Sequence, residues 1–260
     1  MTDEKITSTE RAQKEHYDNV HSEYALHYSD PTSMMYYRKF IYKPMLGDID
    51  FSGRRVLEAM CGTGQLAGAL LDKGAEVTGL DISSEMLEEF KKRWPRCNTI
   101  CASILNKDIE SASFDAVVVA GGLHHLHPHV QKAIDEIHRI LKPGGYFCLL
   151  EPHAGSLPDT IRRLWYRTDA LFEENEHSID VDKLIADNAD RFEFVKTKFM
   201  GNIAYLFVLN SMVFRMPLLL KRIYAPLLFL LESFFNTFQG KRLSCMFISQ
   251  WKKKSDSDNT

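Results

Sequence analysis

The chain has 260 residues, 45% of them hydrophobic, and a formal net charge of −3. That length allows one large domain, or one domain carrying a substantial insertion, with enough apolar material for a sizeable core. The mildly acidic balance excludes a general nucleic-acid binder, which would carry a basic patch and a strong positive charge. The five cysteines, Cys61, Cys97, Cys101, Cys148 and Cys245, are odd in number and form no CxxC pair, so they read as reduced thiols. The polar start Met1-Thr2-Asp3-Glu4-Lys5 has no apolar signal core, and a cytoplasmic protein is expected.

Residues 1 to about 11 read as disordered. Tyr17, Val20, Tyr24, Leu26 and Tyr28 then recur at helix-like intervals, and a second helical segment, Ser33 to Leu46, is ended or bent by Pro44. Val56 to Ala59 is an apolar strand with Glu58 near its carboxyl end, and it runs into Met60-Cys61-Gly62-Thr63-Gly64. Such a glycine-rich turn opening a helix is a ligand cradle, because the backbone bends sharply and the helix start presents unpaired N–H groups. Gln65 to Lys73 is the helix, stopped by Gly74; Glu76 to Leu80 is a second strand, ending in Asp81. A carboxylate at that distance beyond a glycine loop suits the two hydroxyls of a ribose.

Ser83 or Ser84 caps the next helix, Met86, Leu87 and Phe90 form its buried stripe, and Pro95 stops it. Cys97 to Ser103 is a short third strand. Phe114 to Ala120 is the clearest strand, an unbroken apolar run of the kind buried on both faces of a parallel sheet, and it ends at Gly121-Gly122. Val130, Ala133, Ile134, Ile137 and Leu141 mark an amphipathic helix, which Lys142-Pro143-Gly144-Gly145 terminates before the strand Tyr146 to Glu151. This alternation predicts an α/β protein, a doubly wound parallel sheet with ligands at the carboxyl ends of its strands. Beyond it, Leu157 to Phe172 reads as a helix carrying Arg162, Arg163 and Arg167, Val181 to Ala189 as another, and Phe192 to Met200 and Leu243 to Trp251 as strands. The apolar material between those strands is too short and too interrupted to span a bilayer.

Leu57-Glu58-Ala59-Met60-Cys61-Gly62-Thr63-Gly64, with Asp81 after it and Leu141-Lys142-Pro143-Gly144-Gly145 before a strand, resembles the class I S-adenosylmethionine-dependent methyltransferases over about Val56 to Glu151. The resemblance implies a Rossmann-like seven-stranded sheet, mostly parallel with an antiparallel last strand, and S-adenosylmethionine as cofactor. It divides the chain into an N-terminal helical lid (1–50), the cofactor-binding core (51–201), an apolar helical insertion (202–240), a last strand (241–252) and a disordered tail (253–260). Glu58, Ala59, Cys61, Gly62 and Gly64 would hold the methionine part. Asp81, with Ile82 and Met86, would take the ribose, and Ala102 or Ser103 the adenine, where many members have an Asp. Ala120 and Gly121 complete the implied site. From the lid, Tyr17, Tyr28 or Arg38 would reach the cofactor's carboxylate. The family's usual first glycine is Met60 here, and its side chain is expected to point back into the core.

His124, His125, His127 and His129 follow the fourth strand. With no thiol or carboxylate among them, they do not read as a metal site. The resemblance makes His124 or His125 a candidate general base, with Glu151 and His153 as weaker candidates. The plain alternative is a histidine that packs on the cofactor or bonds a backbone carbonyl. The insertion suggests a small or lipophilic acceptor or contact with a membrane surface, where Lys221 and Arg222 with the arginines of 162–167 would meet anionic groups. A private hydrophobic subcore is the bland alternative. O-methylation is the first expectation. Gly62-x-Gly64-x-x-Ala67 also fits a dinucleotide fingerprint, so an NAD(P)-dependent dehydrogenase stays open, as does a non-catalytic cofactor-binding or membrane-associated module.

Overall fold

The computed structural model describes residues 10–11, 14–15, 26–106, 108–166, 177–211 and 216–255. Seven strands form one sheet: β1 (Arg55–Ala59), β2 (Glu76–Asp81), β3 (Asn98–Cys101), β4 (Phe114–Ala120), β5 (Leu141–Pro152), β6 (Phe192–Met200) and β7 (Met246–Lys253). Their order is β3-β2-β1-β4-β5-β7-β6. β1 pairs in parallel with both β2 and β4, whereas β7 runs antiparallel to its neighbours β5 and β6. The strand order therefore reverses at β1, and the crevice above β1 and β4 is where such sheets bind ligands.

Side-chain alternation explains the layers. Val56, Val118, Cys148 and Ile248 belong to one buried cluster, while Leu57, Val117, Phe147 and Phe247 belong to the other. A pleat of period two puts these sets on opposite faces. The first face is covered by the rod α1 (Pro31–Tyr36, continuing through Tyr37–Tyr42 and Lys43–Leu46), by α2 (Ala67–Asp72) and by α3 (Ser84–Arg93). The second is covered by α4 (Val130–Ile140), whose Ala133, Ile134, Ile137 and Ile140 are fully buried.

Three sequence readings are revised. Pro44 does not end α1, which runs on to Leu46 as expected; Pro44 instead stands at the start of the α turn Lys43–Leu46 that follows the π-wound Tyr37–Tyr42. Lys142-Pro143-Gly144-Gly145 stops α4 as expected but already belongs to β5, which starts at Leu141. Residue 10 is not structureless, since Glu10 is buried in the cleft described below.

Helices α5 (Leu157–Tyr166) and α6 (Val181–Ala186) follow β5. Within the insertion, a π turn (Tyr205–Leu209) leads to the long helix α7 (Leu218–Phe238), which runs through Pro226 without breaking. Two buried polar side chains bind α7 to α1. Lys221 donates to the His27 carbonyl (2.9 Å), the Asp30 carboxylate (2.6 Å) and the Ser33 hydroxyl (2.6 Å). Glu232 accepts from the Tyr36 hydroxyl (2.9 Å) and from the backbone N–H groups of Asn202 (3.1 Å) and Ala204 (2.9 Å). Each burial is compensated by at least three hydrogen bonds, as a buried charge requires. Lys221 is thus an internal tie and not a surface cation. Of the pair considered for anionic groups, Arg222 alone is exposed.

Candidate functional site

The glycine loop after β1 is bent by three residues with positive φ: Met60 (+53°), Gly62 (+49°) and Gly64 (+79°). Gly62 donates its N–H to Asp81 Oδ2 (2.9 Å), and Ser83 donates to Asp81 Oδ1 (3.0 Å). The carboxylate at the end of β2 is thereby fixed beside the loop. A Cβ at Gly64 would lie 2.6 Å from the Phe90 ring, so only glycine lets the loop lie this close to α3. Trp94 donates to the Gly64 carbonyl (2.9 Å), and the Tyr42 hydroxyl of α1 donates to the Gln65 carbonyl (2.6 Å). Neither buttress was apparent from the sequence.

Glu58 does something other than expected. It is buried, its Oε1 accepts the Leu66 N–H at 3.0 Å, and its Oε2 has no partner. Burial pushes its carboxyl up to about 8. It ties the loop to the start of α2 and does not line the cleft. Ala59 and Cys61 are likewise core residues, and burial raises the Cys61 thiol.

Above the carboxyl ends of β1, β2, β3 and β4 opens a cleft. Seven of the residues singled out as cofactor contacts line it: Gly62, Asp81, Ile82, Met86, Ala102, Ala120 and Gly121. His125 lines it too. Residues the sequence did not offer also contribute. Glu10 sits in the wall beside Ala102 and hydrogen-bonds the Ser103 hydroxyl, which itself accepts the Leu105 N–H at 2.9 Å. Ser103 is buried behind that contact and does not face the cleft. Met60 packs against the second core cluster, as expected, but also borders the cleft. Its left-handed backbone swings the side chain across to Gly122, where an added Cβ would come within 2.8 Å of Met60 Cβ. Among the described residues, the charged groups of this lining are Glu10 and Asp81, with no Lys or Arg.

The histidines after β4 divide into two roles. Glu151, fully buried at the end of β5, accepts the backbone N–H groups of Gly122 (3.0 Å) and Leu123 (2.8 Å), and its other oxygen lies 2.8 Å from His124 Nδ1. Burial is the main cause that pushes its carboxyl up to about 7. His124 is consequently turned toward Glu151 and away from the cleft. The His125 ring stacks on it, centroids 3.9 Å apart, and faces the cleft. His153 is a core ring packed 4.8 Å from Phe199.

The lid candidates do not converge on the cleft. The Tyr28 hydroxyl donates to Asn210 Oδ1 (3.1 Å), and Arg38 is exposed on the π-wound part of α1. Tyr17, Arg167 and the side chains of Arg162 and Arg163 lie outside the described residues.

A family model for the methyltransferase domain matches residues 56–145. The ubiquinone/menaquinone biosynthesis C-methyltransferase UbiE of Bartonella bacilliformis is 33% identical over 156 residues, which is 55% of this chain and 56% of that protein. The malonyl-[acyl-carrier protein] O-methyltransferase of Enterobacter lignolyticus is 35% identical over 115 residues, 44% of this chain and 45% of that protein. The chain thus spans about half the length of the curated relatives it matches. Among solved structures, the Burkholderia thailandensis 1,6-didemethyltoxoflavin-N1-methyltransferase, with S-adenosylhomocysteine bound, superposes with a TM-score of 0.57 at 17% identity, covering 96% of this chain and 92% of that one. The [4+2]-cyclase SpnF superposes at 0.62 with 16% identity, covering 96% and 98%. The shared fold therefore does not by itself fix the reaction. With the β1 loop, the acidic end of β2 and the antiparallel β7 in place, residues 56–145 form a methyltransferase domain of the class I, S-adenosylmethionine-dependent family.

Proposed function

We propose that the chain transfers a methyl group from S-adenosylmethionine to an oxygen of a small or lipophilic acceptor. The observation that supports this best is the charge of the cleft: two carboxylates, Glu10 and Asp81, and, among the described residues, no Lys or Arg in its wall. Such a wall favours a sulfonium cation and a ribose diol. It repels the pyrophosphate of a dinucleotide, which disfavours the dehydrogenase reading.

In this reading Asp81 accepts from the ribose hydroxyls. Glu10 supplies the acceptor for the adenine amino group in place of the Asp that Ala102 and Ser103 lack. Ile82 and Met86 pack on the nucleoside, and Met60, Gly62 and Gly121 border the methionine arm. Arg38 and Tyr28, bonded or exposed elsewhere, take no part. When bound, the cofactor supplies an electrophilic methyl group. The protein's own work is to align the acceptor, exclude water and accept a proton, and alignment can account for much of the acceleration. His125, facing the cleft, receives the acceptor's hydroxyl proton. His124, held by Glu151, is a positioning residue that supports the His125 ring.

The test is incubation with methyl-labelled S-adenosylmethionine and a panel of phenolic and hydroxylated lipophilic acceptors, with the labelled atom located by NMR. Label on oxygen, with turnover falling about 100-fold in His125→Ala at unchanged cofactor affinity, is the expected result. Label on carbon or nitrogen overturns the choice of oxygen. Tight cofactor binding without label in any acceptor points to the non-catalytic module.

A further inference from the structure

Helix α7 carries large apolar residues on its outer side as well as its inner one, yet among the described residues only the inner face is covered. Lys221, Ala225, Phe229 and Glu232 face α1 and are buried. On the opposite side Leu219, Ile223, Leu227, Leu230, Phe234 and Phe238 follow one another at three- and four-residue steps, each 60–79% exposed. At 1.5 Å per residue they make a stripe about 28 Å long. A contiguous exposed apolar patch of this kind marks an interaction surface. The following turn, Lys241–Leu243, packs on α5, and Leu243, Leu157 and Ile161 at that end are exposed as well.

The charges around the stripe identify its occupant. Glu232, the single acid between Leu218 and Leu243, is buried against Tyr36 and Asn202. Arg222 near one end and Arg242 just past the other are exposed, and neither pairs with a carboxylate among the described residues. A second copy docked stripe to stripe would set Arg222 against the Arg242 end, or each arginine against its twin, so cations would oppose cations in either orientation. An anionic bilayer surface satisfies both features at once. The leucines and phenylalanines enter the boundary between headgroups and acyl chains, and the arginines meet the phosphates. No helix among the described residues is long and apolar enough to cross a membrane, so the contact is one of lying on the surface.

We propose that the outer face of α7 docks the protein onto an anionic lipid surface, holding the methyltransferase domain at the membrane. This goes beyond the reading of the cleft and does not depend on it. The test is flotation of the full chain with vesicles of phosphatidylcholine alone and of phosphatidylcholine mixed with phosphatidylglycerol, with sedimentation velocity and thermal melting in parallel. Wild type is expected to float with the mixed vesicles and less with the neutral ones. Leu227→Glu with Leu230→Glu should lower binding to mixed vesicles at least about tenfold while keeping a cooperative melt. Arg222→Glu with Arg242→Glu should lose at least about 25-fold on mixed vesicles and little on neutral ones, since each basic residue near the surface contributes about fivefold. If the double Glu variant fails to melt cooperatively, Leu227→Ser alone carries the comparison. Wild type that does not float, or floats as well as the leucine variants, overturns the proposal. So does a wild-type dimer that those variants dissociate in the absence of vesicle binding.

Discussion

At the scale of single residues, Met60 and Gly122 form a matched pair. A methionine at φ +53° forgoes the freedom a glycine would have there, and its side chain occupies the space a Cβ on Gly122 would need. Gly122→Ala is expected to cost about 1–3 kcal/mol. The same change in a Met60→Gly background should cost less than half of that, and a double-mutant cycle by chemical denaturation measures the coupling. Additive effects would show that the two do not compete for space. Glu58 gives a pH signature. Burial raises its folded-state value from 4.5 to about 8, so its contribution to stability is whole below about pH 4.5 and is lost as pH rises toward 8. Glu58→Gln keeps an acceptor for the Leu66 N–H and removes the loss. Its stability relative to wild type should therefore climb by a few kcal/mol between pH 5 and pH 8. A pH-independent difference would contradict the burial of an ionisable group there. Neither the contact of Met60 with Gly122 nor the role of Glu58 was legible in the sequence. The one depends on a left-handed φ, the other on which way a strand-end carboxylate turns.

Among the elements, the turn after β4 hangs on one carboxylate. Glu151 accepts the N–H groups of Gly122 and Leu123 and holds His124 Nδ1. Glu151→Ala would orphan buried donors at about 1–3 kcal/mol each and should lower the melting temperature clearly. Glu151→Gln keeps acceptors for the backbone and should mainly depress turnover, about tenfold or more, with cofactor affinity unchanged. Equal loss of turnover and affinity would make the turn merely structural. The strands were the legible part of this fold. Phe114–Ala120 and Phe192–Met200 stand where the sequence put them, the first as an unbroken apolar run and the second as aromatic and β-branched residues interleaved with charged ones. The α1–α7 union was not legible. It rests on Lys221 and Glu232 meeting Asp30, Ser33 and Tyr36 from the far end of the chain, and no local periodicity reports such pairings.

For the whole molecule, the sheet reversal at β1 gathers residues from four strand ends into one cleft, and that convergence was readable from the glycine loop and Asp81. The rim was not. Glu10 belongs to a polar stretch with no pattern to recommend it, and it joins the cleft wall through its hydrogen bond with the Ser103 hydroxyl. Acid on both sides of the cleft, with no Lys or Arg among its described residues, is what supports the proposed placement of the cofactor there. Titration calorimetry of S-adenosylhomocysteine, with NAD as the competitor class, addresses that assignment for wild type and Asp81→Asn. Asparagine is preferable to alanine because Asp81 also holds the Gly62 and Ser83 N–H groups. The expected result is one-to-one binding of S-adenosylhomocysteine, weakened about tenfold to 100-fold in the variant, and no heat from NAD. Binding of NAD instead, or nucleoside affinity indifferent to Asp81, would contradict it.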